Sequence, residues 1–208
     1  MFKLKRKKQA GMSIVELLVV LSIFAVISSV AIFNFGDFQS QIDIRNLASD
    51  IASKIIEAQK ASISGLLPPL AQQSSIDDVW KPSYGVYFNR IVDDESFYYF
   101  TDLGTSSTQD HKFTDTDCVG SGECLEKITI TKGNYISGLD VYYQSAPTTP
   151  VAISDDLTIS FMRPSSSAFL YSNGSVLVDV SYVQITIISP KSPTALIKVY
   201  PSGRIQVN

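Results

Sequence analysis

The residue with the most unusual chemical setting is Glu16, which lies inside an apolar segment that runs from Ile14 to Phe33. A charged side chain at the centre of a membrane helix is disfavoured by about 2.5–3.5 kcal/mol on insertion scales. That cost predicts a specific function for the carboxylate. Gly11 precedes the segment, and five cations precede that glycine: Lys3, Lys5, Arg6, Lys7 and Lys8.

The two cysteines form the second chemically distinctive feature. Cys118 and Cys124 lie in a loop-like stretch that is rich in glycine and serine. They could close a small disulfide loop if this part of the chain lies outside the cytoplasm. A metal site or a pair of free thiols is less favoured, because one cysteine pair and a single distant histidine, His111, do not supply four ligands. We predict no metal site and no cofactor.

Arg204, directly after Gly203, is a candidate contact for DNA. Gln206 stands where a second cation would strengthen that hypothesis. Without the five leader cations the chain has 12 cations and 20 acids, a balance of −8. Such a balance argues against general nucleic-acid binding, and we expect a turn glycine followed by a solvated arginine.

The acidic clusters are candidate calcium sites, but none has the spaced ligands and glycine of a recognised calcium loop. We expect solvated turns instead. His111 has no nucleophile and acid at a spacing that suggests catalysis, so we predict no enzyme activity. The clusters comprise Asp77 and Asp78; Asp93, Asp94 and Glu95; and Asp115, Asp117 and Glu123.

These residues are positioned by a long helix and a set of strands. The 20 residues from Ile14 to Phe33 span about 30 Å as a helix, one hydrocarbon thickness. A cleaved secretory signal fits poorly, because its apolar core has only about 7–15 residues. Residues 37–64 are amphipathic, and Gly65 is a favourable C-terminal cap. We expect one helix of about 50 residues with a soft point near Asn34 and Gly36. The predicted apolar stripe comprises Ile44, Leu47, Ile51, Ile55 and Ala58.

The rest of the chain has the pattern of antiparallel strands, many with one covered face. Asn173-Gly174 predicts a hairpin turn. The helical stripe would supply the cover, so the predicted fold class is α+β. The predicted strands are 84–89, 96–101, 127–131, 139–143, 157–162, 168–172, 175–180, 182–188, 195–200 and 204–207, with Asp93-Asp94-Glu95 as a turn between the first two.

The run Gly11-Met12-Ser13-Ile14-Val15-Glu16-Leu17-Leu18 resembles the N-terminal signal of type IV pilins and pseudopilins. In that family a prepilin peptidase cuts after the glycine and N-methylates the new first residue. The resemblance implies cleavage between Gly11 and Met12 and methylation of Met12. It also implies a pilin fold, and it matches Glu16 to the family's glutamate at the fifth mature position.

The resemblance further implies how the chain would work. The mature amine of Met12 would be a cation, and Glu16 of an incoming subunit could pair with that amine on its neighbour. An assembly platform in the inner membrane would extract the helix into a filament with other pilin or pseudopilin subunits. The expected location is a single-pass membrane protein with an extracytoplasmic C-terminal domain, and afterwards the filament.

A weaker similarity concerns the minor subunits of the GspH/FimT type. It is carried by residues 47–59, 84–88, 98–102 and 197–207.

The expected divisions are a leader at 1–11, a transmembrane and filament-core helix at 12–35, an amphipathic half at 36–65 and a β domain at 66–208. The expected function is a minor pilin or pseudopilin of a type IV pilus or type II secretion system. The alternatives are a signal-anchored binding domain that does not polymerise and a competence pilin that takes up DNA.

Overall fold

The computed structural model describes residues 11–104, 108–115, 118 and 122–208, with the backbone alone at 31–34. The chain divides into two compact units, one up to Gln39 and one from Ser40 to Asn208. The predicted leader lies outside the described residues, except for Gly11.

One helix, α1, runs from Ile14 to Ser64 over 51 residues, which confirms the predicted long helix. It ends in a Schellman motif: the amide of Gly65 donates to Ser62 O, and the amide of Leu66 donates to Ala61 O, each at 3.1 Å. Gly65 has a φ of +72°, which glycine adopts without steric cost. The predicted C-terminal cap is therefore confirmed. The backbone stays helical at Asn34 and Gly36, where the sequence suggested a soft point.

The second unit consists of the end of α1 and two antiparallel sheets, so the α+β prediction is confirmed. A six-stranded sheet has the order β3-β2-β1-β6-β7-β8, and a five-stranded sheet has the order β11-β10-β9-β4-β5. The strands are β1 Ser83–Asn89, β2 Asp93–Thr101, β3 Cys124–Thr129, β4 Tyr135–Tyr143, β5 Ala146–Ala152, β6 Asp156–Met162, β7 Ala168–Ser172, β8 Ser175–Val176, β9 Val180–Ile188, β10 Thr194–Val199 and β11 Ile205–Val207.

Three local predictions were wrong. The strand β5 was missed because Pro147 and Pro150 interrupt its β pattern, although an edge strand tolerates proline. The strand predicted at 175–180 stops at Val176, and the chain enters β9 at Val180. Asp93-Asp94-Glu95 starts β2, so the turn is formed by residues 90–92. The predicted hairpin turn is confirmed at Asn173-Gly174, where both residues have positive φ.

A single core joins the amphipathic part of α1 to the inner faces of both sheets. Ile51 and Ile55 are fully buried, whereas Leu47 of the predicted stripe is only partly buried. The helix is also tied to the strands by polar contacts. Ser62 Oγ donates to Pro82 O at 3.0 Å, and Lys54 Nζ lies 2.8 Å from a carboxylate oxygen of Glu126. The predicted cover of the sheet by the helix is therefore observed.

The other face of the six-stranded sheet is covered by the long loop between β2 and β3. Phe113 of that loop packs its ring against Tyr87, Tyr98 and Phe100, with centroid distances of 4.9, 5.2 and 5.4 Å. His111 stacks on Phe169 at 4.7 Å. The sequence suggested only a polar loop here. In the structure, ring contacts of Phe113 and His111 hold the loop against the sheet.

Candidate processing and assembly segment

The peptide bond between Gly11 and Met12 lies outside the helix. Both residues are exposed and have no regular secondary structure. The first helical hydrogen bond runs from Leu17 N to Ser13 O at 3.1 Å, so Ser13 occupies the N-cap position. The backbone at the predicted cleavage point is therefore not committed to the hydrogen bonds of α1.

Glu16 lies in the first turn of α1 and is exposed. Ser13 and Glu16 have the spacing of a capping box, and a carboxylate in the first turn is favoured by the helix dipole. Within the part of the chain that the structure describes, Glu16 forms no salt bridge. The described residues thus provide no cation for this carboxylate, and one would have to come from elsewhere.

The helix that follows Glu16 is apolar on all sides. Between Ile14 and Val30 its large apolar side chains are 49–78% exposed. By length and composition α1 could span a membrane, and it is the one such helix among the described residues. The exposed side chains are Ile14, Val15, Leu17, Leu18, Val19, Val20, Leu21, Ile23, Phe24, Val26, Ile27 and Val30.

This segment matches a known family model. The model of the prokaryotic N-terminal methylation motif matches residues 6–32, which include Gly11, Met12 and Glu16. The match supports membership of the type IV pilin and pseudopilin family, and the fold is consistent with it. The matched motif also supports a pilin-like subunit of the kind that prepilin peptidase processes. Neither the curated proteins nor the solved structures gave a match.

Cys118 and Cys124 are joined by a disulfide, with their Cα atoms 4.8 Å apart. Two hydrogen bonds hold the backbone of Cys124 in place. Cys124 N donates to a carboxylate oxygen of Asp115 at 3.1 Å, and the side-chain amide of Gln72 donates to Cys124 O at 3.4 Å. The pair that the sequence singled out is therefore joined, and its Cys124 end is held on the domain by hydrogen bonds.

Two buried acids are Glu123, which lies within this loop, and Asp102, which directly follows β2. Glu123 accepts hydrogen bonds from Thr114 N and Thr114 Oγ1, both at 2.8 Å. Burial nevertheless raises the pKa of Glu123 to about 7, and the nearby Asp102 carboxylate adds to the rise. Asp102 lies 3.3 Å from His111 Nδ1 and is almost completely buried. His111 is thus part of a structural polar cluster instead of being alone in a loop.

Among the described residues, no acidic cluster places three or more potential ligands where they could hold a metal ion. Asp77 and Asp78 lie in the loop before β1, and Asp93 pairs with Lys127 at 2.7 Å. Asp115 and Glu123 are used as hydrogen-bond acceptors within the loop. Asp117 lies outside the described residues.

Gly203 has a structural function in the turn between β10 and β11. Its φ is +82°, and a Cβ atom there would collide with Ser166 O and the side chain of Gln59. The amide of Gln59 donates to Ser166 O at 2.9 Å and to Gly203 O at 3.1 Å. The glycine therefore lets the C-terminal turn approach α1 closely.

Arg204 is exposed, and its guanidinium carbon lies 3.8 Å from the centre of the Tyr200 ring. Lys198 Nζ lies 4.7 Å from the centre of the Tyr182 ring. Within the described residues neither cation forms a salt bridge. Arg204 was a candidate from the sequence, whereas the tyrosines beside it were not recognised as its neighbours, because their alignment depends on strand register.

Proposed function

We propose that this protein is a structural subunit, a minor pilin or pseudopilin, of a type IV pilus or type II secretion filament. Its leader would end at Gly11, residues 12–35 would form the membrane and filament-core helix, residues 36–65 the amphipathic half, and residues 66–208 an extracytoplasmic β domain. Proteins that carry this motif are generally structural rather than catalytic.

The observation that carries this proposal is the uncovered apolar surface between Ile14 and Val30, directly after the matched motif. Apolar side chains exposed by half or more are stable in lipid, and outside lipid they must bury one another. A filament core made of such helices supplies that burial. Prepilin peptidase, other pilin or pseudopilin subunits and an inner-membrane assembly platform are the partners that this mechanism requires.

In this mechanism Glu16 sets the axial position of each helix relative to its neighbour in the filament. Cleavage after Gly11 would leave the amine of Met12 as a cation at the start of the helix. A carboxylate in an apolar core is costly unless it is paired, so Glu16 of one subunit would pair with the Met12 amine of a neighbour. The pairing fixes the axial position of one helix against the next.

The test replaces Glu16 by alanine in cells that produce the whole assembly system. We expect processed Glu16→Ala protein to remain in the membrane fraction and to be at least about tenfold depleted from sheared filaments, because the register contact is lost and the Met12 amine of the neighbour is left without a partner. Ser22→Ala, in the same exposed segment, is the matched control and should enter filaments normally. Normal incorporation of Glu16→Ala would contradict the role of this carboxylate.

The alternative without polymerisation is a signal-anchored binding domain. That alternative predicts wild-type protein in the membrane and none in filaments. A competence pilin that binds DNA is a further candidate, and the unpaired cations Lys198 and Arg204 favour it. Replacing Arg204 by alanine should then weaken the binding of labelled duplex DNA to the full chain.

A further inference from the structure

The outward side of the five-stranded sheet carries a row of tyrosines. Tyr142 and Tyr182 are register partners on β4 and β9. Their rings are stacked at 4.3 Å, and Tyr200, just after β10, follows at 5.5 Å from Tyr182. With Lys198 and Arg204 these rings form what we call the tyrosine surface.

The tyrosine surface differs chemically from the rest of the domain. From Ser181 to Asn208 the chain has three cations and no acid, although the chain beyond its leader has a balance of −8. Arg204 is exposed, with its guanidinium carbon 3.8 Å from the centre of the Tyr200 ring, and an exposed guanidinium can pair with a carboxylate. Tyrosine and arginine are also the residues most enriched where protein interfaces gain their affinity.

A second feature of the domain has the complementary chemistry. The β1–β2 tip, residues 90–95, presents Ile91 and Val92 with exposed fractions of 66% and 79%. Asn89 Oδ1 accepts hydrogen bonds from the amides of both, at 3.1 and 3.0 Å, which fixes the turn. Asp94 and Glu95 follow directly, and neither forms a salt bridge within the described residues.

We propose that the tyrosine surface of one subunit binds the β1–β2 tip of a second copy of this chain. Ile91 and Val92 would pack on the tyrosine rings, while Asp94 and Glu95 would pair with Lys198 and Arg204. The preformed turn lowers the entropic cost of docking. The interface rests on the proposed function, since it joins subunits that the N-terminal helices bring together.

The two surfaces are different patches of the same unit, so the contact is heterologous. An interface of this type repeats from one copy to the next and generates a helical filament when the rotation does not close. A filament subunit needs such a contact, whereas a two-fold dimer contact would end the assembly. The proposal thus assigns the exposed face of the five-stranded sheet a role in lateral packing.

The same cations could in principle attract DNA, but the surface fits DNA less well. One face each of Tyr142 and Tyr182 is covered by the other ring, and Arg204 covers a face of Tyr200, which leaves fewer faces on which bases could stack. Two cations neutralise few phosphates on an otherwise acidic domain. Asp140 also lies on this side of the sheet, two strands away from Lys198, where it repels an extended polyanion more than a short acidic tip that docks at Lys198 and Arg204.

A charge-swap experiment on the purified full chain in detergent micelles tests the contact by sedimentation velocity. We expect wild-type chains to self-associate, and both Lys198→Glu/Arg204→Glu and Asp94→Lys/Glu95→Lys chains to do so at least about tenfold more weakly. A mixture of the two variants should recover the association, because the reversed charges are again complementary. Lys81→Glu, an exposed charge reversal outside both patches, is the control and should behave as wild type.

Recovery in the mixture would establish the contact, since misfolded variants cannot rescue each other. Unchanged association in both variants would overturn the proposal. So would binding of labelled duplex DNA that depends on Lys198 and Arg204 in chains that do not self-associate. Either failure leaves the filament incorporation of the wild-type chain untouched, whereas absence from filaments would refute the proposed function itself.

Discussion

The two parts of α1 use apolar residues in opposite ways. From Ile14 to Val30 the large apolar side chains are 49–78% exposed, whereas Ile44, Ile51 and Ile55 further along are at most 2% exposed. The first part is apolar on all sides, while the second has an apolar stripe and polar flanks. A stripe can be covered by a sheet of the same chain, but a fully apolar surface needs lipid or other helices.

Because of this difference, we expect the second part of α1 to determine the stability of the domain and the first part to determine assembly into the filament. Substitutions in the second part of the helix should change the free energy of unfolding. Substitutions in the first part should leave it unchanged and act on insertion or incorporation instead. Trp80, the only tryptophan in the sequence, is 8% exposed, so its fluorescence reports on the fold of the domain.

The largest effect should come from Ile51→Ala. Removing a fully buried isoleucine costs about 2–5 kcal/mol, because the transfer free energy is lost and a cavity is left. Val19→Ala, in the exposed part, is the matched control, with an expected change below about 0.5 kcal/mol. Urea unfolding of the full chain in micelles, followed by Trp80 fluorescence, measures both. Equal effects of the two substitutions would contradict the separation.

A smaller effect is expected from the disulfide. Opening the short loop between Cys118 and Cys124 should cost about 2 kcal/mol, since the bond restricts the unfolded chain. The double variant Cys118→Ser/Cys124→Ser should show this loss, and reduction of the wild-type protein should reproduce it. Alkylation of both thiols in unreduced protein from the cell envelope would show that the bond does not form there.

A third effect is a pH dependence caused by Glu123. Its pKa is 4.5 in the unfolded reference and about 7 in the fold, so the folded state binds more protons between these values. The contribution of Glu123 to stability is complete below pH 4.5 and is lost as the pH rises through 7. Glu123→Gln, which resembles the protonated form, should flatten the fall in melting temperature over this range.

The control for this measurement is Glu95→Gln, which changes an exposed glutamate and should leave the wild-type slope intact. Thermal unfolding at pH 5, 6, 7 and 8 gives the comparison. Parallel curves for Glu123→Gln and the wild type would exclude a raised pKa at this buried carboxylate.

Local patterns predicted the helix and its end well. The stripe at Ile51 and Ile55 and the cap at Gly65 depend on residues close in sequence, and both were found where expected. The strand β5 was missed because its prolines contradict local β propensity, and only its position at a sheet edge makes them acceptable. Strand formation here is decided by the neighbour β4, which local sequence does not identify.

The candidate sites also fall into those that local sequence predicts and those that depend on contacts between strands. Gly11, Met12 and Glu16 were found from spacing along the chain, whereas the tyrosine surface required the register of β4, β9 and β10. His111 looked isolated because the fold, and not its spacing along the chain, brings its ring nitrogen within 3.3 Å of the Asp102 carboxylate. Contacts between distant segments are where sequence patterns carried least information.

The central claim is that the chain is processed as a prepilin. Mass spectrometry of the protein isolated from its native membrane, with sequencing of the N-terminal peptide, tests it directly. We expect the chain to begin at Met12 and to carry one methyl group on that amine. An intact leader, or a new N-terminus near residue 35, would contradict the account.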